Sequence, residues 1–324
     1  MSPQVYNHTR DVLHKAVDRV YGSPKYNDPD FDKAYRLKEN LSRFAAFKTA
    51  EQSDLLSAAS DMDEAHIINR RYNVNYLRTE YVHAVRGSRA AKNWERIQAD
   101  KDLYPNLKYM PSTAAEPRND HKRLYGMVRP VDDAFWKEWF PPNDWGCLCR
   151  TEQVGGEAKS SAMPKGMKAP PPVMRNNPGI SGKLMPDSHP MIKRIKNKEK
   201  VEKQGAALEL KIMRKDARET LKGMKLTSAD GYNIAVSNTG IDEVINQPHK
   251  QYHLKLDIVK QLPLVLKNAT YVSSAKPDAN IRDKNIVQFH YYAFVMAGKS
   301  SYLVIKELNT GERILYSVVD RLKK

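Results

Sequence analysis

The stretch Arg118–Arg150, RNDHKRLYGMVRPVDDAFWKEWFPPNDWGCLCR, constrains this chain more than any other. Three of the four tryptophans, both cysteines, a Pro-Pro pair and a histidine fall within its thirty-three residues. Aromatic side chains at this density need burial, yet the prolines, Asn143-Asp144 and Gly146 work against long regular structure. The segment is therefore expected to fold as a compact, irregular knot around a small tryptophan core of its own. Asp132, Asp133, Phe135, Trp136 and Trp139 predict a short capped helix. Pro141-Pro142 should stop it, because a proline ring fixes φ and donates no N–H.

Cys147 and Cys149 are the only cysteines in the chain. On an extended backbone, residues two apart point to the same side and neighbours to opposite sides, but a disulfide also demands tightly set Cα and Cβ separations, so a bond within C-x-C is not expected. Two readings stand. In one, both thiolates bind zinc with His121 as third ligand, although the usual spacing is C-x2-C and no fourth ligand is evident. In the other, which needs no cofactor and is the plainer expectation, the pair are buried thiols in an aromatic cluster.

The joint pattern of Arg118, His121, Leu124, Gly126, Val128, Asp132-Asp133, Phe135-Trp136, Pro141-Pro142, Trp145, Cys147 and Cys149 resembles the phage head morphogenesis domain of Mu F-like minor head proteins. The upstream stretch RRYNVNYLRTEYVHAVRGSRAAKNWERI, followed by Tyr109, is similar to the way such domains begin, and the resemblance covers roughly residues 50–153. It implies a minor capsid protein of a phage or prophage, located in the virion near the portal and in the bacterial cytoplasm during assembly. The implied partners are portal and head proteins. It implies no catalytic residue in this part.

At 324 residues the chain is long enough for two domains. No run approaches the eighteen or so apolar residues of a membrane span, and the first twenty residues lack the apolar core of a secretory signal, so no membrane partner is expected. The net charge of +16 is uneven. Residues 1–150 carry 24 Lys and Arg against 21 Asp and Glu, residues 151–226 carry 17 against 8, and residues 227–324 carry 13 against 9. The basic middle suits a solvated tether or non-specific DNA or RNA contact through released counterions.

Periodicity predicts a mainly α N-terminal domain over 1–153, with helices near 1–20 and Phe31–Phe47. A long helical region should follow from Leu55 to Leu103, interrupted at Gly87-Ser88. The knot lies at the end of this domain. Residues 154–190 are rich in Gly, Ser, Pro and Met without periodicity, so 154–205 is expected to be a flexible basic linker, with helical material after Met191 broken at Gly205. Residues 206–324 then predict an α+β domain with helices on an antiparallel sheet. Its expected elements are a strand at Tyr232–Ser237, a short helix or turn at Ile241–Ile245, and a helix at His253–Asn268 restarting at Pro263. Three hairpin-linked strands complete it at Ile286–Met296, Ser301–Leu308 and Glu312–Val319.

The element order and the stretches LPLVLKNATYV and ILYSVV of this second domain resemble the barnase, EndoU, colicin and RelE superfamily of small nucleases, over roughly 227–324. The resemblance implies a metal-independent ribonuclease of toxin type, with no motif carried over residue by residue. Such chemistry needs a base for the 2′-hydroxyl, an acid for the leaving oxygen and cations for the phosphoryl charge. Histidines suit the first two roles and Lys or Arg the third. The candidates are His249, His253 and His290, with Lys255, Lys306 and Ser317, and beside them Arg313 and Tyr316. Val287, Phe289, Tyr291, Ala293 and Val295 read as the core face of the first long strand, which would leave His290 on an open face with Gln288 and Tyr292. The alternative is a purely structural, portal-proximal head protein whose second domain binds DNA or head proteins without catalysis.

Overall fold

The computed structural model describes residues 1–281 and 283–322. It divides into two compact units, the first formed by Met1–Pro24 and Asp30–Ala206, the second by Lys25–Pro29 and the residues from Ala207 onward. The first is helical and the second mixed, the α+β organisation that the sequence predicts.

In unit 1, helix α1 (Pro3–Tyr21) begins where Ser2 accepts a hydrogen bond from the Val5 N–H and Pro3 fills the first turn. It ends where Gly22 takes the left-handed conformation and donates to the Asp18 carbonyl. Its stripe of Tyr6, Leu13, Ala16 and Val17 is fully buried against α2 (Phe31–Ala58) and α4 (Leu77–Ala99). Helix α3 (Met62–Arg70) starts from a cap in which Asp61 accepts from the Glu64 N–H while the Glu64 carboxylate accepts from the Ser60 N–H. It continues through one wide turn, Arg71–Tyr76, directly into α4.

The expected interruption at Gly87-Ser88 does not occur: both lie inside α4. The absent Gly87 side chain makes room for Leu184, whose Cδ2 would sit 2.7 Å from a Cβ there. The real break falls at Ala59-Ser60, between α2 and α3. Residues 154–205 likewise do not form a free linker. After Val154, the path runs through α7 (Pro178–Ser181) and α8 (Pro190–Arg194), and it buries Val173, Met174, Leu184, Met185, Met191 and Ile192 in unit 1. Asn40 of α2 pins it by accepting from the N–H groups of Leu184 and Met185 and donating to the Met185 carbonyl. These anchors are spaced irregularly, which is why no periodic signal marks them. Helix α9 (Lys198–Leu221) runs unbroken through Gly205, which faces the Ala46 methyl so closely that a Cβ would lie 2.4 Å from it.

The knot holds a small sheet that the sequence reading did not anticipate. Strand β1 (Asn106–Met110) is central and antiparallel to both β2 (Val128–Pro130) and β3 (Arg150–Val154). Between them lie two short helices, α5 (Asn119–Lys122) and α6 (Phe135–Trp139), and a cis bond between Pro141 and Pro142. The tryptophan core is not private: Trp136 and Trp139 pack with Phe140 and with Trp94 of α4, whereas Trp145 lies apart, against His83 and His189.

In unit 2, a two-stranded ribbon, β4 (Leu226–Thr227) and β5 (Asn233–Ile234), precedes α10 (Asn238–Asn246), α11 (Tyr252–Ile258) and α12 (Leu262–Asn268). Pro263 restarts the helix as the sequence predicts. A four-stranded antiparallel meander follows, β6 (Thr270–Ala275), β7 (Ile286–Met296), β8 (Lys299–Leu308) and β9 (Arg313–Val319), in that order. The edge strand β6 was not expected. Gly240 of α10 sits against the Leu315 carbonyl of β9, where a Cβ would come within 2.2 Å. A bulge between Ile286 and Gln288 shifts the pleat of β7, and beyond it His290, Tyr292, Phe294 and Met296 are buried while Val287 and Val295 are exposed. The face expected to be open is thus the better covered one.

Candidate functional site

Two constellations stand out, one in each unit. In the knot, α5 carries His121, and the turn at Asp144–Cys147 returns the chain so that both cysteines meet it. His121 Nδ1 lies 3.6 Å from Cys147 Sγ and 3.6 Å from Cys149 Sγ, and the three ligand atoms all lie within 4.8 Å of one another. Cys147 is buried; His121 and Cys149 are half-buried. The Cys149 N–H donates to Cys147 Sγ over 3.5 Å. Hydrogen bonding, from Cys149 first and then His121, pulls the Cys147 thiol below its ordinary range, while donation to Cys147 and burial push Cys149 up. The three residues of the sequence-predicted zinc set are therefore brought together, and the fold also places them on a knot that carries no regular metal-binding spacing.

In unit 2 the candidate residues disperse. His290 Nε2 meets the Glu307 carboxylate at 2.6 Å, and Arg313 Nε approaches the same oxygen at 3.2 Å. These bonds, that from His290 first, hold the Glu307 carboxyl below the usual carboxylate range. The Arg313 guanidinium lies 3.4 Å from the centre of the exposed Tyr232 ring. Tyr292 donates to Asp230 at 3.2 Å, and the half-exposed Tyr271 packs on both His290 and Tyr292. His290, Glu307 and Arg313 share one face because Ile305 is the register partner of His290 and Glu307 that of Arg313.

The other predicted catalytic residues do not join this cluster. Lys306 pairs in register with Phe289, so alternation sends it to the opposite face, where it meets Asp283 at 3.6 Å. His249 meets Ser301 at 3.3 Å, four residues along β8 from Ile305 and so roughly 13 Å from the level of His290. Lys255 is fully buried and donates to the Gln247 carbonyl at 2.6 Å, and burial pushes its ammonium down to about 8. His253 is half-buried on α11 with its ring against Tyr252. Ser317 is buried, and its hydroxyl has no hydrogen-bond partner among the described residues. A set of six acting on one phosphate is thus not assembled. Glu307, Asp230, Tyr232 and Tyr271 escaped the sequence reading. Glu307 was reachable in principle, since the hairpin at Ala297-Gly298 sets the register that brings it diagonal to His290.

Residues 51–152 match the family model described as Phage Mu protein F like protein, and residues 209–316 match Large polyvalent protein-associated domain 3. Over 85 residues the chain is 34% identical to the Mu-like prophage FluMu F protein of Haemophilus influenzae, covering 26% of this chain and 20% of that protein. Over 83 residues it is 38% identical to a protein of Escherichia phage Mu named "Putative capsid assembly protein F", covering 26% of this chain and 17% of that one. The alignments thus span about a fifth of these relatives. No solved structure matches the chain. Residues 51–152 are accordingly the part of the chain that is similar to Mu F-like proteins. The match to 209–316 is not to the nuclease superfamily that the element order resembles.

Proposed function

We propose, from the Mu F-like domain at 51–152, that this chain takes part in assembling the head of a phage or prophage, with portal and head proteins as its partners. It acts in the bacterial cytoplasm during assembly and stays in the virion. The observation that carries this reading is the shared domain, in which α4 and the knot pack around Trp94, Trp136 and Phe140. Disrupting the gene in an inducible prophage tests it. We expect loss of DNA-filled heads, restored by the wild-type chain but not by one carrying Trp136→Ala. Normal head yield from the disrupted prophage would overturn the reading.

A narrower reading of the second unit, metal-independent RNA cleavage, is favoured by one observation, the His290–Glu307 pair beside Arg313. Glu307 would orient His290 as base, and Arg313 would offer the cation. Cleavage of labelled RNA and DNA by the full chain, with and without EDTA, tests it beside His290→Ala and Glu307→Gln. EDTA-resistant RNA cleavage should fall by about 10²-fold or more in His290→Ala. A folded chain that cuts neither substrate leaves head assembly as the only function.

A further inference from the structure

We propose that His121, Cys147 and Cys149 bind one Zn²⁺ ion and that this metal fastens α5 to the end of the knot. The distances are the first argument. A tetrahedral zinc with Zn–S about 2.3 Å and Zn–N about 2.05 Å places a sulfur and a nitrogen ligand about 3.6 Å apart. Both sulfurs lie 3.6 Å from the His121 nitrogen. The third separation, between the sulfurs, falls within the same 4.8 Å circle.

The second argument is chemical. Without a metal, the three atoms within 4.8 Å can be joined only by weak S–H or N–H contacts at 3.6 Å. A cation at the centre of the triangle gives all three atoms a bond at once. Two thiolates and an imidazole are soft enough to select zinc over magnesium or calcium.

The surroundings fit a thiolate site. The Cys149 N–H donates to Cys147 Sγ, and the Tyr109 and Ser112 hydroxyls reach Cys149, so donors face both sulfurs. Tyr109 is itself fixed, accepting from the Asn143 amide at 2.8 Å, and Asn143 is held in turn by the Trp139 carbonyl at 2.9 Å. Outer donors of this kind orient metal ligands and temper the charge on them. Among the described residues no fourth His, Cys, Asp or Glu joins the three, and Asp144 is engaged by Arg118 at 3.0 Å, so the proposed ion takes water as its fourth ligand. The ion closes the loop from His121 to Cys147, which contains α6 and the tryptophans Trp136 and Trp139.

The test uses the full chain, purified reduced and without chelator, with metal measured by mass spectrometry and replaced by Co²⁺. About one zinc per chain is expected, with the charge-transfer and ligand-field bands of a tetrahedral thiolate-bound cobalt. His121→Ala, Cys147→Ser and Cys149→Ser should each lose the stoichiometric metal. His121→Cys should keep it and show a stronger charge-transfer band, which separates loss of a ligand from loss of the fold. The proposal is overturned if the reduced, folded wild-type chain takes up neither zinc nor cobalt. It is equally overturned if His121→Ala and Cys147→Ser keep full zinc, or if alkylation of fresh lysate reveals a Cys147–Cys149 disulfide.

Discussion

At the scale of single residues, burial decides what a charged or bulky group does. Trp136 is fully buried and donates to the Pro130 carbonyl, so Trp136→Ala should cost about 3–5 kcal/mol in denaturant unfolding. Lys48 and Glu80 form an ion pair with 0% and 3% of their side chains exposed. Burial drives both toward neutrality, the ammonium down and the carboxyl up, against the attraction between them. Removing one partner strands the other: Lys48→Met should cost about 3–5 kcal/mol, and Lys48→Met with Glu80→Leu should recover most of it. A double-mutant cycle in urea measures this, and a double variant no better than the worse single one would contradict it. Lys255 has the opposite pH sign from a paired lysine. Its pKa is lowered by burial to about 8, so between pH 8 and the ordinary lysine range near 10.4 the unfolded chain binds more protons than the folded one. Stability should therefore rise with pH across that window, by about 3 kcal/mol, and Lys255→Met should abolish the rise.

At the scale of elements, small residues record close approaches that periodicity does not reveal. Gly87 and Gly205 read in sequence as breaks, yet they and Gly240 each sit within a helix at a point where another part of the unit comes near. Gly240→Ala meets a backbone carbonyl that cannot rotate away and should destabilise unit 2 by about 1–3 kcal/mol. The arm over residues 170–195 follows the same logic. A tether would be the first site of limited proteolysis, but buried Leu184 and Met185 and the Asn40 hydrogen bonds should protect Lys183 and Lys193 from trypsin in the folded chain. The masses of the first fragments decide it, and early cleavage at those lysines would sink the account.

At the scale of the whole molecule, the charge and the element types were legible because both are local. The helices of the first 100 residues, the Pro263 restart and the β7–β8–β9 meander follow from the periodicity, capping and turn chemistry of their own residues. So does the basic excess of 151–226, with Lys196, Lys198, Lys200 and Lys203 exposed. Changing these four to Gln should lower the log–log salt dependence of DNA binding by roughly 3 to 4, and an unchanged slope would leave the excess a matter of solubility alone. Other features depend on distant residues meeting. The sequence could nominate His121, Cys147 and Cys149, but only the return of the chain after Pro142 sets both sulfurs at 3.6 Å from one nitrogen. His290 was legible as a candidate. Its burial was not, because cover on a strand face comes from segments distant in the chain, and the β7–β8 register hands it to Glu307 rather than to Lys306. Propensity acts over a few neighbours, so the residues of each segment decide the kind of element it forms and the charge it carries. Which side chains share a face or a ligand position was decided by the tertiary structure, since register and close approach are properties of segments far apart in the chain.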